Sequence, residues 1–252
     1  MTTPLTYSRP GLEVVVVPLA LRPPEAAAAS SPGRPPASTL HVLLRPRDAP
    51  PYRGTLALPS AFVGHDTRLH VATRQALASS GVDHGDASTY DVGLFDAPDR
   101  DPRDRIIAIV RLALVRSHAA PSPTGAQWSP LSTERGSTPA VLDDAARPER
   151  LAFDHEALVA AALERLTALA QHSLAPLELL AQPFTLTAAQ RAFEAALGRP
   201  LDKRNFRRKL ETLGVLVPAG ERAVGGRTPA KLFRLAPEAW ARAAAQLTPP
   251  RP

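Results

Sequence analysis

The sequence predicts an α+β protein of two parts: a mixed strand-and-helix domain over residues 1–150, and a helical region over 151–252 that closes in a winged helix-turn-helix. Three observations carry this. Short apolar, β-branched runs dominate the chain up to about residue 116, interrupted by one helical pattern. After residue 150 the apolar residues switch to helical spacing. Basic residues then concentrate in 199–234, where ten Lys or Arg stand against three acids.

Residues 11–20 (GLEVVVVPLA) form a short apolar run rich in valine, the pattern of a buried strand. Residues 21–38 are rich in Pro, Ala and Ser and are expected to be a loop or insertion. A second strand is expected at 39–46 and a short strand followed by a turn at 54–63. A helix follows at 67–80, with Leu69, Ala72, Ala76 and Leu77 on one face and Gly81 closing it. Strands are expected at 89–96 and 105–116. Residues 119–150 hold five prolines and are expected to be an insertion or linker, the Pro-rich part lying at about 132–149.

Asp154 is placed to cap a helix running to about Gln171, with Leu158, Ala162, Leu166 and Leu169 on one stripe. A short helix is expected at Leu174–Leu180. Thr187 and Gln190 have capping-box spacing for the next helix, which stops at Gly198. Asp202 caps another that stops at Gly214. Residues 215–217 and 231–235 then pair as a hairpin around Gly220, Gly225 and Gly226.

The bulk composition narrows the function. The net charge is +6, and residues 1–150 are close to neutral, with 16 Arg against 15 acids. All three lysines, Lys203, Lys209 and Lys231, lie in the basic stretch. A localised basic patch is the footprint of a nucleic-acid binder. The absence of cysteine excludes disulfides and cysteine zinc sites. No apolar run is long enough to span a membrane, and the N-terminus lacks the marks of a signal peptide. A cytoplasmic protein with no membrane partner is expected. The histidines (41, 65, 70, 84, 118, 155 and 172) are scattered and are expected to be structural or on the surface. No nucleophile, triad or phosphate-loop motif is present.

Residues 201–214, LDKRNFRRKLETLG, carry the sharpest signal. Phe206, Leu210 and Leu213 fall on one helical stripe; Arg204, Arg207 and Arg208 fall on another, flanked by Lys203. Such a helix can anchor on one side and enter a major groove with the other. Arg can grip guanine and Asn205 can grip adenine, each with two hydrogen bonds, while further cations hold phosphates. The helix before it and the Gly198-Arg199-Pro200 turn complete a helix-turn-helix. Arg222, Arg227 and Lys231 of the hairpin are placed to reach the minor groove or the backbone.

Residues 60–82, SAFVGHDTRLHVATRQALASSGV, resemble the Nudix box, G-x5-E-x7-R-E-U-x-E-E-x-G-U with U a bulky apolar residue. Arg74, Gly81 and Val82 match, and Ala76 is a small residue at the first apolar place. Ser60 stands for the glycine and Asp66 for the first glutamate, but Gln75, Ala78 and Ser79 stand where the family has its helix glutamates. Those glutamates bind a divalent metal that offsets charge on a diphosphate, and Mg²⁺ needs hard anionic oxygens. The resemblance therefore implies a Nudix-like α/β/α sandwich with a mixed sheet and without hydrolase activity, cofactor or metal. The Asp96–Arg103 segment is similar to the ADP-ribose branch of that family. Trp128, Leu151-Ala152-Phe153-Asp154-His155 and Leu201–Leu210 are similar to the Nudix-related transcriptional regulators, NrtR.

That resemblance implies a repressor of NAD-metabolism or related genes, sensing ADP-ribose or a similar nucleotide. It also implies a homodimer on a palindromic DNA operator. Arg53, Phe62, Arg74, Arg103 and Arg105 are candidates for effector contact, and the 154–171 helix for relaying it. Three other readings are distinguishable. A sugar-catabolism regulator would share the architecture. A hydrolase with an atypical metal site would need Asp96, Asp99, Asp101 or Asp104. A partner-binding module would show no salt-sensitive duplex binding.

Overall fold

The computed structural model describes residues 9–22, 39–117, 125–132, 140–142, 149–222, 229–236 and 238–239. Most of both Pro-rich insertions, and Arg227 and His118, lie outside these.

The first strand, β1 (Gly11–Arg22), is buried on both faces, which is why its apolar run does not alternate. Val14, Val16 and Ala20 pack with Ala72, Ala76 and Leu77 of helix α1 (Leu69–Ser79). Val15, Val17, Leu19 and Leu21 join a separate core with Leu158, Ala162 and Leu166 of helix α2 (His155–His172). The domain is thus a sheet sandwiched between helices, with β2 (Thr39–Pro46), β3 (Leu56–Ala57), β4 (Ser60–Phe62), β5 (Ala87–Phe95), β6 (Ile106–Val115), β7 (Gln127–Ser132) and β8 (Ala140–Val141) as its other strands. The strand order is β5-β6-β1-β2-β7-β8, with β3 beside β2 and β4 beside β1. β1 runs parallel to β6, and its other neighbours are antiparallel.

The structure corrects three expectations in this domain. β1 continues through Arg22, so strand replaces loop at residues 21 and 22. Residues 119–150 are more than a linker: β7 pairs with β2, Leu43 opposite Trp128, and buries Trp128 and Leu131. Pro130 sits within that strand, its carbonyl accepting from Leu142 N, so proline density hid a sheet segment. Leu69 is 38% exposed, because the α1 face that meets the sheet begins at Ala72 and Thr73.

Helix α2 serves both parts of the chain. Besides its packing on the sheet, Thr167 Oγ1 donates to Ala196 O of α3 (Leu186–Leu197) at 2.8 Å, and Arg165 Nε to Asp91 O of β5 at 3.1 Å. The apolar core beneath it continues into the winged helix through Phe184, Ala189, Phe193, Leu210 and Leu213. The short helix expected after α2 is a 3₁₀ helix at Ala175–Leu179, with Pro176 at its start.

Thr185, not Thr187, caps α3, accepting from Ala188 N at 3.1 Å. Gln190 has a different task from the expected capping box. It donates to Glu194 Oε1 (2.9 Å) and Leu201 O (3.1 Å), while Glu194 Oε1 accepts from Leu201 N (2.9 Å). These bonds clamp the turn between α3 and α4 (Lys203–Leu213). Gly198 and Gly214 end the two helices at φ 60° and 61°, a backbone glycine adopts without penalty. β10 (Leu216–Arg222) and β11 (Ala230–Leu235) form the hairpin, and the two-residue β9 (Phe184–Thr185) adds to β11.

Candidate functional site

The basic face of α4 is built by its own sequence. Asp202 caps the helix, Oδ1 accepting from Asn205 N at 2.8 Å. Leu210 and Leu213 are buried, and Phe206 is half-buried with its ring edge-on to Phe193, centroids 5.4 Å apart. With that side anchored, Lys203, Arg204, Asn205 and Arg208 are exposed, and Arg207 is half-buried. Lys203, Arg204, Arg207 and Arg208 line one shallow open groove with Asp202 and Glu211. Two details pre-organise this face. Arg208 Nη2 donates to Asn205 Oδ1 at 3.0 Å, which orients that amide. The buried Arg207 Nε has no acceptor among the described residues, which leaves the arginine a donor in reserve. Lys231 is exposed on β11, and Arg222 ends β10.

The sheet domain gathers a second constellation where β4, the loop after β2 and the start of α2 meet. The rings of Tyr52 and Phe153 stand edge-on with centroids 4.9 Å apart, and Phe153 is 5.4 Å from His155. The Arg47 guanidinium lies 4.6 Å from the Phe153 ring; that of Arg103 lies 5.3 Å from Phe153 and 5.6 Å from Phe62. Both Tyr52 (φ 62°) and Phe153 (φ 58°) adopt left-handed backbone. Bulky residues at positive φ cost about 1–3 kcal/mol each and tend to cluster where function demands them.

The charges here are mostly paired, with one exception. Arg100 is buried and grips Asp154 through Nε (3.0 Å) and Nη2 (2.8 Å), while its Nη1 is buried with no acceptor among the described residues. Arg103 grips Asp101 (2.6 Å). Burial alone would raise the Asp101 pKa, but the hydrogen bonds and charge of Arg103 outweigh it and hold the carboxyl low. Arg47 donates to the Pro51 and Ala49 carbonyls. It therefore brings positive charge to the rings without a carboxylate partner among these bonds. His155 is buried, its Nδ1 accepting from Leu58 N at 2.9 Å; burial, then the nearby Arg100 and Arg47, lower its pKa to about 3. It is a neutral structural acceptor.

Of the five expected effector residues, Phe62 and Arg103 meet in this cluster. Arg53 lies exposed in the turn after Tyr52, and Arg74 is exposed on α1. Arg105 is held by the Asp96 and Ala97 carbonyls and faces the Asp96 carboxylate. Tyr52, Arg47, Arg100 and Phe153 were not singled out from the sequence as site residues. Phe153 stood inside the LAFDH segment and Arg100 inside the Asp96–Arg103 segment, and these two family-like stretches were the available signal.

The segment that resembles the Nudix box runs from β4 through α1. Gln75, Ala78 and Ser79 are exposed, the Ser79 hydroxyl donates to Ala76 O, and Arg45 Nη1 donates to Ser79 O at 2.8 Å. A guanidinium thus sits at the end of α1 that carries the glutamates in the family pattern. Ser60 donates to the buried Glu13 at 2.6 Å. Among the described residues, no three His, Asp or Glu side chains converge as a metal site would require. No helix among them is long and apolar enough to cross a membrane.

Comparison with known proteins agrees with both halves of this architecture. Residues 176–235 match the family model for the NrtR DNA-binding winged helix domain. The chain is 31% identical over 202 residues to the ADPR responsive transcriptional repressor NtrR of Acinetobacter baylyi, spanning 78% of this chain and 76% of that one. The crystal structure of Shewanella oneidensis NrtR superposes with a TM-score of 0.70 at 28% identity, covering 90% of this chain and 95% of that one. The same protein complexed with a 27mer DNA also gives 0.70, at 27% identity over 93% and 95%. With a winged helix of this type matched in place and a Nudix-like sandwich before it, the chain belongs to the NrtR family of Nudix-related transcriptional regulators.

Proposed function

We propose that this chain is a nucleotide-responsive transcriptional repressor that binds an operator through α4 and the wing. The observation that carries the reading is α4 itself: one face is buried in the core, and the other presents Lys203, Arg204, Arg207 and Arg208 in a single groove with Asn205 exposed beside them. Asn205 and Arg204 read base edges, the other cations hold phosphates, and Arg222, Arg227 and Lys231 extend the contact from the wing. A homodimer would place two such helices on a palindrome. Support also comes from relatives, one named an ADPR responsive repressor and one solved with DNA.

The effector is ADP-ribose or a nucleotide of that kind. Tyr52 and Phe153 supply a stacking surface for a base, and Arg47, Arg100 and Arg103 supply donors for a diphosphate. Phe62 belongs to this cluster, and Arg53, Arg74 and Arg105 are proposed as further effector contacts. Hydrolysis is not expected, because Gln, Ala and Ser occupy the glutamate positions and Arg45 brings a positive charge to that end of α1. Residues 1–150 sense and residues 151–252 bind DNA, with α2 touching both. The regulated genes belong to NAD metabolism or a related process. Switching requires that the effector favour one arrangement of α2 and the winged helix over the other.

Fluorescence anisotropy with duplexes from upstream of the neighbouring genes tests this. Tight, salt-sensitive binding to one palindromic duplex, weakened by ADP-ribose, is the expected result. Saturating ADP-ribose that leaves operator affinity unchanged would remove it as effector; failure to bind any duplex would remove the repressor reading. Mg²⁺-dependent turnover of ADP-ribose would refute the inactivity.

A further inference from the structure

Behind α4 the helices do not close on one another. The end of α2, the inner faces of α3 and α4 and the turn joining them enclose a cavity of about 230 Å³. That is room for roughly seven waters, far beyond an ordinary packing defect. Its walls are mostly apolar: Phe193 and Leu210 are buried there and Leu197 and Phe206 are left half-covered, while of the uncharged polar residues Gln171 is exposed and the Ser173 hydroxyl donates to Leu169 O. Arg199 and Lys209 line it as well, both exposed, and neither forms an ion pair with a described residue.

We infer that this cavity is a second ligand site, distinct from the sheet-domain cluster, for a small amphipathic anion: an apolar body of about ten heavy atoms ending in a carboxylate. The apolar walls favour a body that asks for no hydrogen bonds, and the two cations favour a negative end outside them. A nucleotide of ADP-ribose size is too large for this volume. The site lies against the inner face of the helix whose outer face carries Lys203, Arg204, Asn205, Arg207 and Arg208. Occupancy therefore sets the seating of α4 and, on the proposed function, its fit to DNA. The ligand-binding claim stands without that step.

Calorimetric titration of the full chain with octanoate tests the claim, using octanol as the neutral analogue and inorganic phosphate as the anion without a body. One octanoate should bind per chain, with octanol and phosphate about tenfold weaker or more. The surface double variant Arg199→Gln, Lys209→Gln should lose that octanoate preference and keep octanol binding. Ala170→Leu, which fills the α2 wall, should weaken both. No saturable binding up to about 10 mM, a range weaker than ordinary ligand sites, would overturn the proposal. So would octanoate binding that the double variant leaves unchanged, or octanoate competing with self-association, since a second copy would then fill the cavity. If octanoate binds as expected but no duplex does, the site stands and the repressor reading falls.

Discussion

Lowering the pH from 7 to 5 tests the buried imidazole of His155. In the folded chain its pKa is about 3, against 6.5 when unfolded, because burial and the Arg100 and Arg47 charges oppose protonation. The unfolded chain therefore takes up the proton first. The stability this group contributes is full above pH 6.5 and is lost progressively as pH falls towards 3. Each pH unit inside that window is worth about 1.4 kcal/mol, so the loss between pH 7 and pH 5 is about 2 kcal/mol from this group alone. Other carboxylates titrate as well, so the measurement is a difference. His155→Gln keeps an acceptor for the Leu58 N–H and cannot be protonated. Urea unfolding of both proteins at pH 7, 6 and 5 should show the wild type losing about 2 kcal/mol relative to the variant. A constant gap across the three pH values would refute the argument, because it would mean that His155 is solvated or already charged.

The remaining predictions concern recognition. Arg204→Ala or Arg207→Ala should weaken operator binding by about 1–3 kcal/mol if a base contact is lost; a phosphate contact would instead weaken all duplexes alike and reduce the salt slope by about 0.9. If both variants bind like wild type, α4 is not the reading helix. Asp202→Ala should cost about 1 kcal/mol of stability through loss of the cap, whereas Asp202→Asn should cost little, as thermal melts will show. Phe153→Ala should weaken ADP-ribose binding by about 1–3 kcal/mol through lost stacking, leaving effector-free operator affinity unchanged. ADP-ribose affinity should be the same within about twofold with Mg²⁺ or EDTA, and should fall in Arg45→Gln, because fixed guanidinium charge replaces metal charge. A strict Mg²⁺ requirement would refute that last expectation.

Much of this architecture was legible because the local and global signals agree. In α4 the apolar stripe, the Asp202 cap and the Gly214 stop all specify one helix in one orientation, and the structure has it. The β1 run was equally clear, since a strand covered on both faces has no alternation to obscure. Pairing decided what the sequence concealed. Pro130 reads as a loop residue, yet β2 supplies a partner that makes its segment a strand. Thr187 and Gln190 had the right spacing for a cap, but Thr185 lay nearer the true start of α3, and the carbonyl of Leu201, eleven residues on, claimed Gln190. The aromatic cluster was the least legible feature. Nothing in a local pattern announces left-handed backbone at Tyr52 or Phe153, and their contact joins a loop after β2 to the entrance of α2, about a hundred residues apart.

Helix α2 has a consequence for how such a chain can change over time. Its stripe is common property: the sheet closes over part of it, the winged helix over the rest, and Thr167 and Arg165 tie it to α3 and β5. A sensor and a DNA reader joined by a free tether can be exchanged like cassettes, each carrying its own interior. Here neither interior is complete without the same eighteen-residue helix. A foreign winged helix grafted after it would have to match one flank of α2 while leaving the other flank undisturbed. New specificity is therefore more readily reached by substitutions on the exposed face of α4 than by recombination of whole modules.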